Sequence, residues 1–208
     1  MKRYVALLSC IVFLTGFAHG AIFHIPEDLV KEQRALEAKV HALSNAETRF
    51  ELAMNYAYTG WIEIAWEQLS MVPDYDKNYA DKVLTNYTAK LQLEPNNWKH
   101  HFKIAFAYYF QDKKEAAIRS FKKVVTLNPK QVWAMGLIAL LYGEQKNYAT
   151  CISWCKKALA IEPNATAVHF LYAKAQLDSG DYFGFLGESM HVVRLKSAEA
   201  KYTPTPPE

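Results

Sequence analysis

Residues 93–96 read Leu-Glu-Pro-Asn, residues 127–130 read Leu-Asn-Pro-Lys, and residues 161–164 read Ile-Glu-Pro-Asn. Pro95, Pro129 and Pro163 follow one another at intervals of 34 residues. Each proline stops a helix, because it has no N–H and crowds the preceding turn. Its fixed φ suits the first turn of the helix that follows. Punctuation at this interval describes a repeat of paired helices.

The side chains keep the same period. Between Trp98 and Gln131, Ile104, Ala105 and Tyr108 stand on the first helix, with Ala117 and Phe121 on the second. One period later the same places hold Ile138, Ala139, Tyr142, Cys151 and Cys155. An earlier unit opens near Ala46 with Leu52, Ala53, Tyr56, Ala65 and Leu69, and Gly60 at its turn. The small residue lets two antiparallel helices approach, and the large ones fill the space above and below it. This arrangement resembles the tetratricopeptide repeat, whose pattern is Leu-Gly-x-x-Tyr, then Ala-x-x-x-Phe, then Pro. The resemblance covers about residues 46–196, with the clearest units at 98–131 and 132–165. It implies an all-α, helix–turn–helix solenoid of about three to four units.

The ends depart from the pattern. After Thr166 the matching places hold Tyr172, Ala173, Gln176, Phe185 and Ser189, and no proline closes the unit. A degenerate last unit is expected, since it shows one face to water. Tyr56 and Tyr108 are 52 residues apart, 18 more than one period. The surplus predicts an extra helix at about 77–93, either inserted between units or part of a differently paired first unit. Pro26-Glu27-Asp28 reads as a helix start, followed by Leu29, Leu36, Val40 and Leu43 on one face. Residues 21–45 are therefore expected to form an N-terminal cap, with a short coiled-coil or dimer helix as the alternative. Residues 197–208, with Pro204, Pro206 and Pro207, read as an extended, disordered Pro-rich tail.

Residues 1–20 read as a signal peptide. Met1-Lys2-Arg3 is positive, Val5 to Ala18 carries no charge, and Ala18-His19-Gly20 suits cleavage before Ala21. The apolar run is short for a bilayer of roughly 30 Å. Retention as a membrane anchor and lipidation at Cys10 are the alternatives. The expected location is exported: periplasmic, extracellular, or membrane-associated on the outer side. Of 24 basic residues against 21 acidic ones, removal of Lys2 and Arg3 leaves 22 against 21. A chain so near neutrality has no electrostatic footprint for nucleic acid.

The resemblance also implies a concave face lined by the first helix of each unit. In this chain the lining is Phe50 and Met54, then Lys99, Phe102, Phe106 and Tyr109, then Trp133 and Leu140, then Phe170 and Lys174. Such an apolar, aromatic groove suits a protein or peptide partner laid in it. Filling of the groove by the chain's own extra helices or tail is the alternative. A clamp for a C-terminal carboxylate is not expected, because Lys99 and Lys174 stand alone among apolar residues. The expected function is an exported scaffold or adaptor that binds another protein. A self-associating structural or assembly subunit, and so a homo-oligomer, is the second reading.

No catalytic, metal or cofactor chemistry is expected. Cys151 and Cys155 occupy core places of the repeat and read as small buried hydrophobes. Adjacent His100 and His101 point about 100° apart on a helix and cannot share a metal. His101 and His169 occupy one place in the repeat, which suggests packing. Gly187-Glu188-Ser189-Met190-His191 lacks the final glycine and the preceding strand of a hydrolase elbow.

Overall fold

The computed structural model describes residues 25–199 and Pro207. The described residues form ten α-helices and no strand. They are α1 (Glu27–Ala42), α2 (Ala46–Tyr58), α3 (Ile62–Tyr75), α4 (Tyr79–Leu93) and α5 (Trp98–Phe110). The second half continues with α6 (Lys114–Leu127), α7 (Val132–Glu144), α8 (Tyr148–Ile161), α9 (Thr166–Asp178) and α10 (Tyr182–Glu199). The expected signal at residues 1–20 lies outside the described residues, as do residues 200–206 and 208 of the expected tail.

Antiparallel hairpins α2–α3, α5–α6, α7–α8 and α9–α10 are the repeat units, and α4 stands between the first and the second. The local causes are visible at the ends. Asn45 accepts from the Thr48 N–H while the Thr48 hydroxyl accepts from the Asn45 N–H, a reciprocal cap on α2. Asn97, Gln131 and Asn147 cap α5, α7 and α8 through side-chain oxygens that accept from backbone N–H groups. Pro95, Pro129 and Pro163 fall in the turns between units, just past the last helical turn.

The turn inside each unit needs one residue of positive φ. That residue is Gly60 (88°), Asp112 (57°), Lys146 (61°) and Gly180 (87°) in successive units. The last three recur at the repeat interval, so the left-handed residue is part of the repeat even where it is not glycine. A residue bearing Cβ is disfavoured there by roughly 1–2 kcal/mol, partly offset by the chain entropy of glycine. Lys146→Gly is therefore expected to stabilise the fold by about 0.5–1 kcal/mol, read as a raised urea midpoint.

The pattern residues make the core. Ala53, Ala105 and Ala139 are inaccessible to solvent, as are Leu52, Tyr56 and Ile138. Ala65, Ala117 and Cys151 lie opposite on the second helices, and Leu69, Phe121 and Cys155 follow one turn later; all six are buried. Cys151 and Cys155 are free thiols. Hydrogen bonding to Cys151 and burial hold the Cys155 thiol well above the ordinary thiol range, so it is an unreactive core group.

Helix α1 packs on α2. Leu29, Leu36 and Val40 bury one stripe against α2, and the Asn55 side chain of α2 donates to the Leu29 carbonyl at 3.2 Å. Helix α4 links α2 to α5. Phe50 meets Tyr79 edge to face at 5.5 Å, and Val83 and Tyr87 bury into the same core.

Candidate protein-binding surfaces

The inner face of α5 and α7 is occupied. Helix α2 brings Tyr58 against it, with ring centroids 5.0 Å from Trp98 and 4.8 Å from Phe102, both edge to face. The Gln131 side chain, at the start of α7, donates to the Tyr58 carbonyl at 3.2 Å. Helix α3 adds Trp66, which stacks on Phe110 at 6.2 Å and meets the Tyr109 edge at 6.4 Å. Beyond it, Ile62 packs against the cluster of α7, α8 and α9, and Glu63 accepts from Lys196 of α10 at 2.6 Å. The α2–α3 hairpin is thus folded back into the concave side of the units that follow it.

This placement corrects the expected binding groove. Phe50, Met54, Phe102, Phe106, Tyr109 and Trp133 are all buried, so six of the ten expected contact residues belong to the chain's own core. Lys99 is engaged by Glu32 of α1 at 2.5 Å, and Lys174 by Asp178 on its own helix at 2.8 Å. Leu140 and Phe170 are half-buried. The resemblance named these positions from the frame of the repeat. It carried no information about another part of the chain arriving there.

Three polar groups in this core, on Glu51, Tyr87 and Lys103, form one hydrogen-bonded cluster. Buried Lys103 donates to Glu51 of α2 and to the Tyr87 hydroxyl of α4, the latter at 3.0 Å, and Tyr87 also donates to Glu51. One carboxylate therefore ties together three helices that are far apart in sequence. The two matching histidines do the same work in different units: His101 Nε2 lies 3.0 Å from the Pro95 carbonyl, and His169 Nε2 lies 2.9 Å from that of Pro163. His169 Nδ1 is also 2.6 Å from Glu188. The carboxylate of the rejected Gly187–His191 motif thus joins α10 to α9. Among the described residues no group of three or more His, Cys, Asp or Glu side chains could hold a metal.

Two features were not anticipated. Arg49 of α2, itself buried, donates to Gln68 at 2.7 Å, to Ser44 at 2.8 Å and to the carbonyl of Pro207 at 3.2 Å. The end of the Pro-rich tail, expected to be disordered, therefore rests at Pro207 on the first hairpin. Arg49→Ala leaves several buried acceptors without a donor and is expected to destabilise by about 2–3 kcal/mol. Faster carboxypeptidase trimming, alongside a lower urea midpoint, would accompany that loss.

The second feature is the outer face of α10. Phe183 is 90% exposed, Met190 74%, Val193 66%, Tyr182 65% and Leu186 58%. On the opposite side Val192 and Leu195 are buried, which fixes the rotation of the helix. Hydrophobicity alone hides this face, since α10 has apolar residues all round. Comparison of α10 with α6 and α8, place by place, is the signal that finds it.

Comparisons with known proteins agree with this architecture. The tetratricopeptide-repeat family profile matches residues 101–131 and 134–165. No curated protein sequence matches the chain. Among solved structures, a double mutant of MamA from strain RS-1 superposes with a TM-score of 0.58 at 16% identity, covering 84% of this chain and 98% of that one. MamA residues 41 to the end, from Desulfovibrio magneticus RS-1, gives 0.57 at 16% identity, with 83% and 97% covered. A further MamA crystal structure gives 0.50 at 19% identity, with 84% and 92% covered. At these identities the likeness is one of fold. The chain carries two tetratricopeptide repeats, at 101–131 and 134–165, within an all-helical solenoid.

Proposed function

We propose that this chain is an exported protein-interaction scaffold whose docking surface is the outer face of α10. Tetratricopeptide folds serve protein–protein contact, and the observation that carries the surface is the apolar stripe on the last helix. In the inner units the outer face of the second helix receives the next unit. Ile118 and Val125 of α6 meet α7 in this way, and Ile152 and Leu159 of α8 meet α9. Leu186 and Val193 hold the same two places on α10, yet both are exposed. Phe183 and Met190 go further: α6 has Glu115 and Lys122 at those places, and α8 has Ala149 and Lys156. A unit that finished the stack in water would be more polar there, not less.

The concave groove is the weaker candidate, because its aromatic side chains already have partners in α2 and α3. Export rests on the basic, apolar and small-residue succession of residues 1–20. Mass measurement of the chain recovered from its host tests it, with Ala21 expected as the first residue.

The docking surface is tested by affinity capture from the native compartment with the full chain and with Leu186→Glu/Met190→Glu. Both substitutions lie on the exposed face, so helical circular dichroism should be unchanged while specific capture is lost. Equal capture by both proteins would rule out α10 as the surface.

A further inference from the structure

We infer that the occupant of this face is a second copy of itself, with two α10 helices pairing antiparallel about a two-fold axis near Gly187. The inference rests on the reading of α10 as a docking surface and names its partner. The first support is spacing. Phe183, Leu186, Met190 and Val193 follow one another at intervals of three, four and three residues, the seam of a two-helix coiled coil. An isologous contact requires a face complementary to itself, and an apolar seam of this kind meets that need.

Gly187 is the second support. It lies in the interior of α10, where glycine lowers helix stability, and a Cβ built there meets nothing within 4 Å. No contact within the chain asks for the missing side chain. It flanks the seam at its mid-length, where two crossing helices come closest and a small residue lets their backbones approach.

The helix dipole supplies the third. In the antiparallel arrangement the N-terminal end of one α10 lies opposite the C-terminal end of the other, so that the two helix dipoles oppose one another. A parallel pair would set the two dipoles side by side in the same direction.

Other occupants fit less well. The chain beyond α10 comes to rest at Pro207 against Arg49, so that end of the tail lies on α2. Head-to-tail stacking would bring α10 against the outside of α1, which exposes Glu27, Asp28, Lys31, Arg34 and Lys39. Its exposed apolar residues are the small Ala35, Ala38 and Ala42, with Leu43 just past its end, a poor match for a seam of large side chains. The five exposed side chains of α10 present on the order of 600 Å² per copy, at the upper end for a monomer's largest patch and near what one side of a standard interface buries.

Sedimentation equilibrium of the full chain tests the pairing. A dimer is expected, with Met190→Glu raising its dissociation constant at least a hundredfold while the helical signal persists. Gly187→Leu separates folding from pairing: it should raise the melting temperature of the monomer and weaken the dimer. Direction is read by cysteine pairs. Phe183→Cys mixed with Val193→Cys should form a disulfide between copies, whereas Phe183→Cys alone should not, its two copies standing about 15 Å apart along the axis. A chain that stays monomeric at high concentration overturns the inference, as does a dimer indifferent to Met190→Glu. If that monomer still captures a different protein, and Met190→Glu abolishes the capture, the docking surface stands and only its partner changes.

Discussion

Phe102→Ala is expected to lower the stability of the protein by about 3–5 kcal/mol, the range for truncating a fully buried aromatic. The ring is inaccessible to solvent and meets Tyr58, Phe106, Phe121 and Trp98, with centroids 4.8, 5.3, 5.3 and 6.4 Å away. These partners come from α2, α5 and α6. The cavity would therefore open at the point where the first hairpin meets the later units, and no single helix can shift to close it. For a domain of this size the loss amounts to a melting temperature lower by about 6–20 °C. Phe106→Ala, whose ring is 4% exposed and 5.6 Å from Phe121, should behave alike. An open groove would give the opposite result, with melting unchanged and only partner binding lost. Thermal melts of the two variants, followed by circular dichroism, separate these descriptions.

Alkaline unfolding is expected to be steep and to begin near pH 10. Burial raises the pKa of Tyr56, Tyr58 and Tyr87 far above the ordinary phenol value of 10.0. Carboxylates add to this: Glu37 beside Tyr56, and Glu51 near both Tyr58 and Tyr87. The shift is upward, so the unfolded chain loses these protons first. Their contribution is fully present below pH 10 and falls as pH rises above it. Each such phenol removes about 1.4 kcal/mol per pH unit, and the three together about 4 kcal/mol per pH unit. Tyr79 is shifted in the same direction by burial, with Glu47 next, and adds to the trend. Phenolate absorbance should therefore appear in two parts, the second coincident with the loss of helix. If all 13 tyrosines ionised in one step before any helix was lost, the buried phenols would not be where the structure places them.

The repeat was legible because its signal is local. Prolines at a fixed interval, small residues where helices cross, and polar caps such as Asn45, Asn97 and Asn147 each act within a few residues of themselves. Their positions on the page are their positions in the fold. The extra helix was legible for the same reason, as a surplus of length with helical spacing at about 77–93, and it appears as Tyr79–Leu93. The left-handed turn residue was harder to see. Glycine marks it at 60 and 180, but Asp112 and Lys146 carry no such mark.

The candidate site was legible only in part. Residues such as Phe102 and Tyr109 are buried, as apolar residues of a helical stripe are expected to be. The burial that removes them from a partner comes from Tyr58 and Trp66, which are many residues earlier in the chain. No periodicity links those positions. The exposed face of α10 was hidden for the converse reason. Leu186 and Val193 look like core residues, and only the position of the neighbouring helices shows that nothing in the described chain covers them.

By itself the sequence determined the class of fold and the small-and-large packing code of the repeat, because each depends on contacts within one helix pair. Tertiary structure decided which surfaces remain for a partner: it filled the concave side with α2 and α3, placed Pro207 on Arg49, and left the seam of α10 in water. The physical reason is that an apolar side chain states only a preference for burial. Whether the burying surface comes from the same chain or from another molecule depends on the path of the whole backbone.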